Sequence, residues 1–363
     1  MLKIPFYDPE KSYEENFKHG PFGAFSDGEV FSEPKAFSAK GYGRPQYDFL
    51  GFKVNSPFGI PSGPLINGKF VKAALDKGFD IVEYKDTRTH KHPCNPMPNI
   101  VPLEVKGDMT LDMAAKGVKI AKGYNAPISI TNSFGIPSMD PSFWQKDLRE
   151  AALYAKEGQI VIGGLQGTLP EGGGFEAYLQ DFILIAKLVK ETGVKVIELN
   201  LSCPNEGIGN LLCFDTERSE RVVEAVKKEI GDIPLIIKIS YYPDMEDLKK
   251  FVVAVAPFVQ AISAINTIPS KIIDDEGNPA LSGGRLTSGT CGAPIKWAGL
   301  DMVKKLKKIR DELGYTYTII GVGGCTTPDD FFEYRDAGVD IVMSATGAMW
   351  NPYLAREIKE KLE

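Results

Sequence analysis

Eight consecutive residues, Glu198-Leu199-Asn200-Leu201-Ser202-Cys203-Pro204-Asn205, put two amides, a hydroxyl and a thiol directly after the apolar run Val194-Lys195-Val196-Ile197. The run reads as a buried strand, and the proline stops it. A strand tip this rich in polar groups suits a site that binds a small polar ring and moves a proton. Cys203 is the candidate base. A free thiol has a pKa of about 8.5, so only a few per cent is thiolate near neutral pH, yet a thiol held against a carbon acid can still take its proton. Asn132, Asn200, Asn205 and Asn266, the last followed by Thr267, fall at the expected C-terminal ends of four segments. Primary amides combine donors with an acceptor. They match the alternating N–H and C=O edge of a pyrimidine ring without adding charge.

Two lysines occupy buried-looking strands. Lys85 closes Ile81-Val82-Glu83-Tyr84, and Lys238 sits within Ile236-Ile237-Lys238-Ile239. A charge in such a strand is costly unless it meets an opposite one. Lys238 either stabilises the negative edge of a reduced flavin or pairs with an acid such as Glu198. Glycines end two late strands, at Gly321-Val322-Gly323-Gly324 and at Ser344-Ala345-Thr346-Gly347. Paired glycines point backbone N–H groups at an anion, the following helix adds its positive end, and the last two loops of a barrel are a common phosphate site. A dinucleotide fingerprint is missing, because Gly41-Tyr42-Gly43-Arg44-Pro45-Gln46 lacks a third glycine and no strand precedes it. A mononucleotide redox cofactor, FMN, is therefore expected. His90, His92 and Cys94 are too few and too close in sequence for a metal site, and no metal is expected.

The elements that would position these groups alternate regularly. Strands are expected at 57–62, 80–85, 127–131, 159–164, 195–200, 234–239, 261–266, 317–322 and 340–345. Helices are expected at 67–77, 143–157, 175–191, 216–230, 245–256, 294–313, 328–337 and 351–362. Near-continuous apolar strands such as 235–239 mark a sheet buried on both faces, and the alternation implies an α/β (β/α)₈ TIM barrel; a doubly wound open sheet is the alternative. Nine strands are one too many, so 127–131 is placed outside the barrel, in the long and proline-rich connection after the strand at 80–85. Residues 1–48 read as an N-terminal extension, an arm on the barrel or a partner-binding segment, and 49–363 as the barrel. The net charge of −6 across 363 residues argues against nucleic acid. No run is long and apolar enough for a membrane span. Five scattered cysteines and no signal-like amino terminus suggest a reduced, cytoplasmic protein.

The octapeptide 198–205 closely resembles the signature of dihydroorotate dehydrogenases. Further stretches are similar to that family: Pro61-Ser62-Gly63, Asn95-Pro96-Met97-Pro98, Asn132-Ser133-Phe134-Gly135-Ile136-Pro137, Asn266-Thr267 and Gly292-Ala293-Pro294-Ile295-Lys296. The resemblance implies an FMN-dependent oxidation of dihydroorotate to orotate, with Cys203 removing the C5 proton and the C6 hydride passing to flavin N5. It implies a substrate site of Lys85, Asn132, Phe134, Gly135, Ile136, Asn200, Asn205, Asn266 and Thr267. The cofactor site it implies is Ser62, Gly63, Lys85, Asn200, Lys238, Gly292, Gly323, Gly324, Ala345 and Thr346. A cysteine base resembles the soluble branches, which pass electrons to fumarate or, through a partner subunit, to NAD. A homodimer is expected, with an electron-transfer subunit as a further partner. Asp86, Asn99 and Ala345 depart from the family pattern, which has Ser or Thr, Arg and Gly there. A uracil-type flavin reductase and a non-catalytic flavin-binding protein are the rival functions.

Overall fold

The structure, a computed structural model, describes residues 2–31, 46–202 and 211–362. Cys203, Asn205 and residues 41–45 lie outside them. In chain order the strands are β1 (Tyr47–Phe49), β2 (Phe52–Val54), β3 (Phe58–Ile60), β4 (Ile81–Thr87), β5 (Val118–Lys119), β6 (Ser129–Asn132), β7 (Ile160–Leu165), β8 (Val196–Asn200), β9 (Leu235–Ile239), β10 (Ala261–Ala264), β11 (Ile268–Ile273), β12 (Thr287–Gly292), β13 (Thr318–Val322) and β14 (Ile341–Met343).

Eight of them, β3, β4, β7, β8, β9, β10, β13 and β14, close into a parallel barrel in chain order. The other expected strand, near 127–131, is β6 and lies outside, as anticipated. It joins a four-stranded sheet, β5-β11-β12-β6, in which β11 and β12 form a hairpin inserted after β10. The sequence does not advertise this hairpin. Thr287-Ser288-Gly289-Thr290-Cys291-Gly292 has no apolar alternation, and its extended form comes from pairing with β6 on one side and β11 on the other.

Helices cover the barrel where the apolar period of 3.6 called for them. In Thr216–Ile230, Asp215 caps the start by accepting from the Arg218 N–H, and Gly231 ends it at φ 66°. Its buried face is Val222, Val223, Val226 and Ile230; each such side chain stabilises by about 1.5–3 kcal/mol when removed from water. Short helices at Tyr13–His19, Leu111–Lys116 and Thr346–Trp350 were not expected. The described part of the arm is tied to the barrel: Phe6, Tyr7, Tyr13 and Phe25 join its outer core, and the Phe6 N–H donates to the Met349 carbonyl at 3.0 Å.

Period-two alternation sorts the barrel interior into layers. Ile81, Val196 and Ile236 belong to an inner apolar cluster, stoppered by Phe49 and Val54 of the β1–β2 hairpin. Two residues further along the same strands, the same face carries Glu83, Glu198 and Lys238, all buried. On β4 and β8, two more residues bring Lys85 and Asn200. The interior thus runs from apolar at the closed end to ionic and then polar at the strands' C-terminal ends.

Candidate active site

That polar end opens into a cavity of about 900 Å³, mouth included. Lys85 and Asn200 reach it from β4 and β8, Lys238 from β9, and Asn266 and Thr267 from just past β10. Asn132, Phe134, Gly135 and Ile136 line it from the segment that follows β6. Ser62 and Gly63 come from beyond β3, Gly292 from the end of β12, Gly323 and Gly324 from beyond β13, and Ala345 and Thr346 from beyond β14. Every proposed site residue among the described ones therefore faces a single cavity. Cys203 and Asn205 lie outside the described residues, but Ser202, their neighbour, is held: its N–H donates to Asn200 Oδ1 at 3.0 Å and its carbonyl accepts from Asn266 Nδ2 at 3.0 Å.

The glycine turns have the shape a phosphate cradle needs. Gly323 and Gly324 sit at φ 120° and 71°, the region open mainly to glycine. A Cβ on Gly324 would stand 2.6 Å from the Lys296 backbone. The Tyr334 hydroxyl pins the Gly323 carbonyl away at 2.6 Å, and Ser344 Oγ binds the Cys325 carbonyl at 2.6 Å. One expectation changes. The helix at Pro328–Asp336 does not offer its N-terminal amides to an anion, because Asp330 accepts from the Thr326 and Thr327 N–H groups at 2.9 Å each. After Gly324, it is the backbone turn rather than the capped helix end that is left toward the cavity. These turns, the open space above Gly63 and the ammonium of Lys238 fit a phosphate-bearing flavin.

Lys238 is ion-paired and also lines the cavity. Its ammonium forms an ion pair with Glu198, lies 3.1 Å from Glu83 Oε2 and donates to Ser62 Oγ at 3.2 Å. Burial alone would lower the lysine's pKa, but Glu198, then Glu83 and Asp86, outweigh it and hold the pKa above its usual value. Two carboxyl groups share one cation here. Burial, and next the charge of Glu198, push the Glu83 pKa well above the usual carboxyl range. The Ser62 N–H donates to it at 2.9 Å. Sequence reasoning named Glu198 as a partner and missed Glu83, though both share strand parity with the proposed site residues Lys85 and Asn200.

Asp86 also lines the cavity. Its Oδ2 accepts from Asn200 Nδ2 at 2.8 Å, fixing that amide, while its buried Oδ1 has no partner. Asn99 is buried and turned to backbone, donating to the carbonyls of Asn95 at 2.9 Å and Ser133 at 3.2 Å. The described cysteines are unreactive by environment: burial raises the Cys94, Cys213 and Cys291 thiols to about 12 and Cys325 well above its usual value. An apolar space of about 410 Å³ adjoins, sharing Gly63, Asn132, Phe134, Ala345 and Thr346. The arm's Tyr7 closes it with a buried hydroxyl that finds no partner. No group of His, Cys, Asp and Glu among the described residues could hold a metal, and no described helix is long and apolar enough to cross a membrane.

Fold and cavity define a (β/α)₈ barrel with a cavity, lined by glycine turns and polar side chains, at the C-terminal ends of its strands. The family model for dihydroorotate dehydrogenase matches residues 46–363. A dihydroorotate dehydrogenase of Dictyostelium discoideum is 36% identical over 98% of this chain and 96% of its own. The catalytic subunit of a dihydroorotate dehydrogenase B (NAD(+)) of Thermoplasma acidophilum is 30% identical over 63% of this chain and 72% of its own. Its counterpart in Brachyspira hyodysenteriae is 28% identical over 67% and 74%. The chain belongs to the dihydroorotate dehydrogenase family and is an oxidoreductase acting on a CH–CH bond.

Proposed function

We propose that this protein oxidises dihydroorotate to orotate with FMN, Cys203 acting as the base that takes the C5 proton. The observation that carries this is the convergence, in one cavity, of glycine turns, a buried ammonium and the strand-end amides Asn132, Asn200 and Asn266. FMN, when bound, supplies the acceptor for the C6 hydride. Gly323, Gly324, Ala345 and Thr346 would hold its phosphate, while Ser62, Gly63 and Lys238 would hold the ring. Lys85, Thr267 and the amides would orient the pyrimidine, each amide able to meet one N–H or C=O of its edge. The Lys238 ammonium would favour negative charge developing beside it, because it is prepositioned in a site shielded from water.

A soluble electron acceptor fits the cysteine base. The Dictyostelium relative is named simply as a dihydroorotate dehydrogenase. The NAD(+) relatives, which are named as catalytic subunits, keep an electron-transfer partner open as the second route. A cytoplasmic homodimer is the assembly we expect. The test is anaerobic. Purified protein should be yellow, dihydroorotate should bleach it, and Cys203→Ala should keep its colour yet bleach at least 100-fold more slowly, the usual cost of losing a general base. A flavin that stays oxidised with dihydroorotate would overturn the substrate, and fumarate, NAD and quinone can then be compared as reoxidants.

A further inference from the structure

Arg285 lies in the loop between β11 and β12, half-buried at the rim of the inserted sheet. Its guanidinium joins three segments. Nη1 donates to the Ser133 carbonyl at 2.8 Å and to the Ser133 hydroxyl, Nη2 to the carbonyls of Pro96 and Pro98, and Nε to the Ser282 carbonyl of its own loop at 3.0 Å. It forms no ion pair with a carboxylate among the described residues, so its charge rests on neutral oxygens.

Ser133 is where this matters. Asn132 before it and Phe134, Gly135 and Ile136 after it form one wall of the cavity. The Ser133 carbonyl also accepts from Asn95 Nδ2 at 3.3 Å and Asn99 Nδ2 at 3.2 Å, and the Arg285 contact is the shortest of the three. A planar fork with five N–H donors can bridge oxygens that approach from several directions. An amide such as Asn99 cannot span them all.

We propose that Arg285 is a positioning residue, a latch that holds the wall at 132–136 against the β11–β12 loop and thereby sets how tightly the pyrimidine is retained. The role rests on the substrate proposed above. Holoenzyme carrying Arg285→Gln or Arg285→Lys tests it. With Arg285→Gln, the KM for dihydroorotate and the Kd for orotate, read from the flavin absorbance change, should both rise about tenfold, the loss of 1.4 kcal/mol. The kcat should stay within about threefold, and limited proteolysis within residues 274–286 should quicken. Arg285→Lys should recover little, since a point charge cannot bridge three segments. Unchanged orotate affinity in Arg285→Gln, or full recovery by lysine, would overturn the latch. A fall in melting temperature with unchanged KM would also overturn it, leaving a purely structural contact. If the wild type itself fails to bind orotate, the substrate assignment is what fails. The proteolysis rates then decide alone: equal rates in wild type and Arg285→Gln refute the latch, and faster cleavage of the variant upholds it.

Discussion

Glu83 Oε2 and Lys238 Nζ meet 3.1 Å apart inside the barrel, 155 positions apart in the chain. The contact lies at the cavity floor, which Lys238 lines, and Glu198 completes it from β8. Two buried carboxyl groups thus surround one ammonium.

The raised pKa of Glu83 gives the fold a pH signature. The folded-state pKa of Glu83 lies above its ordinary value of 4.5. The stability it contributes is therefore complete below pH 4.5 and is lost as pH rises toward the folded pKa. Glutamine cannot ionise, and its amide can donate to Glu198 while its oxygen accepts from Ser62 and Lys238. As pH rises above 4.5 toward the folded-state pKa, Glu83→Gln should gain steadily on the wild type. Denaturant titrations across that range measure it, and parallel pH profiles would contradict it.

Lys238→Met removes the cation and leaves the acids buried together. Breaking a buried pair from one side costs about 3–5 kcal/mol, so the melting temperature should fall by many degrees. The flavin that remains bound should be harder to reduce, because no ammonium offsets the added charge. Calorimetry and a redox titration of the holoenzyme check both, and an unchanged melting temperature would show that the pair is not closed in solution.

Gly324→Ala attacks the cradle rather than the ring. Its φ of 71° and the Lys296 backbone 2.6 Å from the new Cβ leave a methyl group nowhere to go without moving the turn. Left-handed strain alone costs about 1–2 kcal/mol. Titrating FMN into apoprotein should show affinity reduced tenfold or more. Affinity equal to the wild type would place the phosphate elsewhere.

Asp86→Asn should improve substrate binding. Asp86 lines a cavity proposed to hold an anion, and its Oδ1 is buried without a partner. Asparagine keeps an acceptor for Asn200 and drops the charge. Like charges in a partly shielded site repel by about 1–2 kcal/mol at an effective dielectric near 20, so orotate should bind roughly tenfold tighter. Weaker binding would mean that Asp86 itself receives a donor from the ligand.

Much of the barrel was legible in the chain. Burial on both faces shows locally, as unbroken apolar runs such as Leu235-Ile236-Ile237, and turns that need left-handed backbone show as Gly323 and Gly324. The residues around Asn200, and the lysines at 85 and 238, stood out because polar groups in such runs oppose the local pattern. Each of these signals depends on one short segment's own exposure to water, so sequence alone determined the strands, their order and which side chains stand at their tips. Only the tertiary structure decided which tips meet. Barrel closure brought Glu83 to Lys238. Pairing with β6 made a strand of the glycine- and threonine-rich β12, and the loop beside it carried Arg285 to Ser133, 152 residues away. The Asp330 carboxylate claimed the helix end that sequence had offered to phosphate. These outcomes depend on distance in space between segments remote in the chain, and no local periodicity encodes that distance.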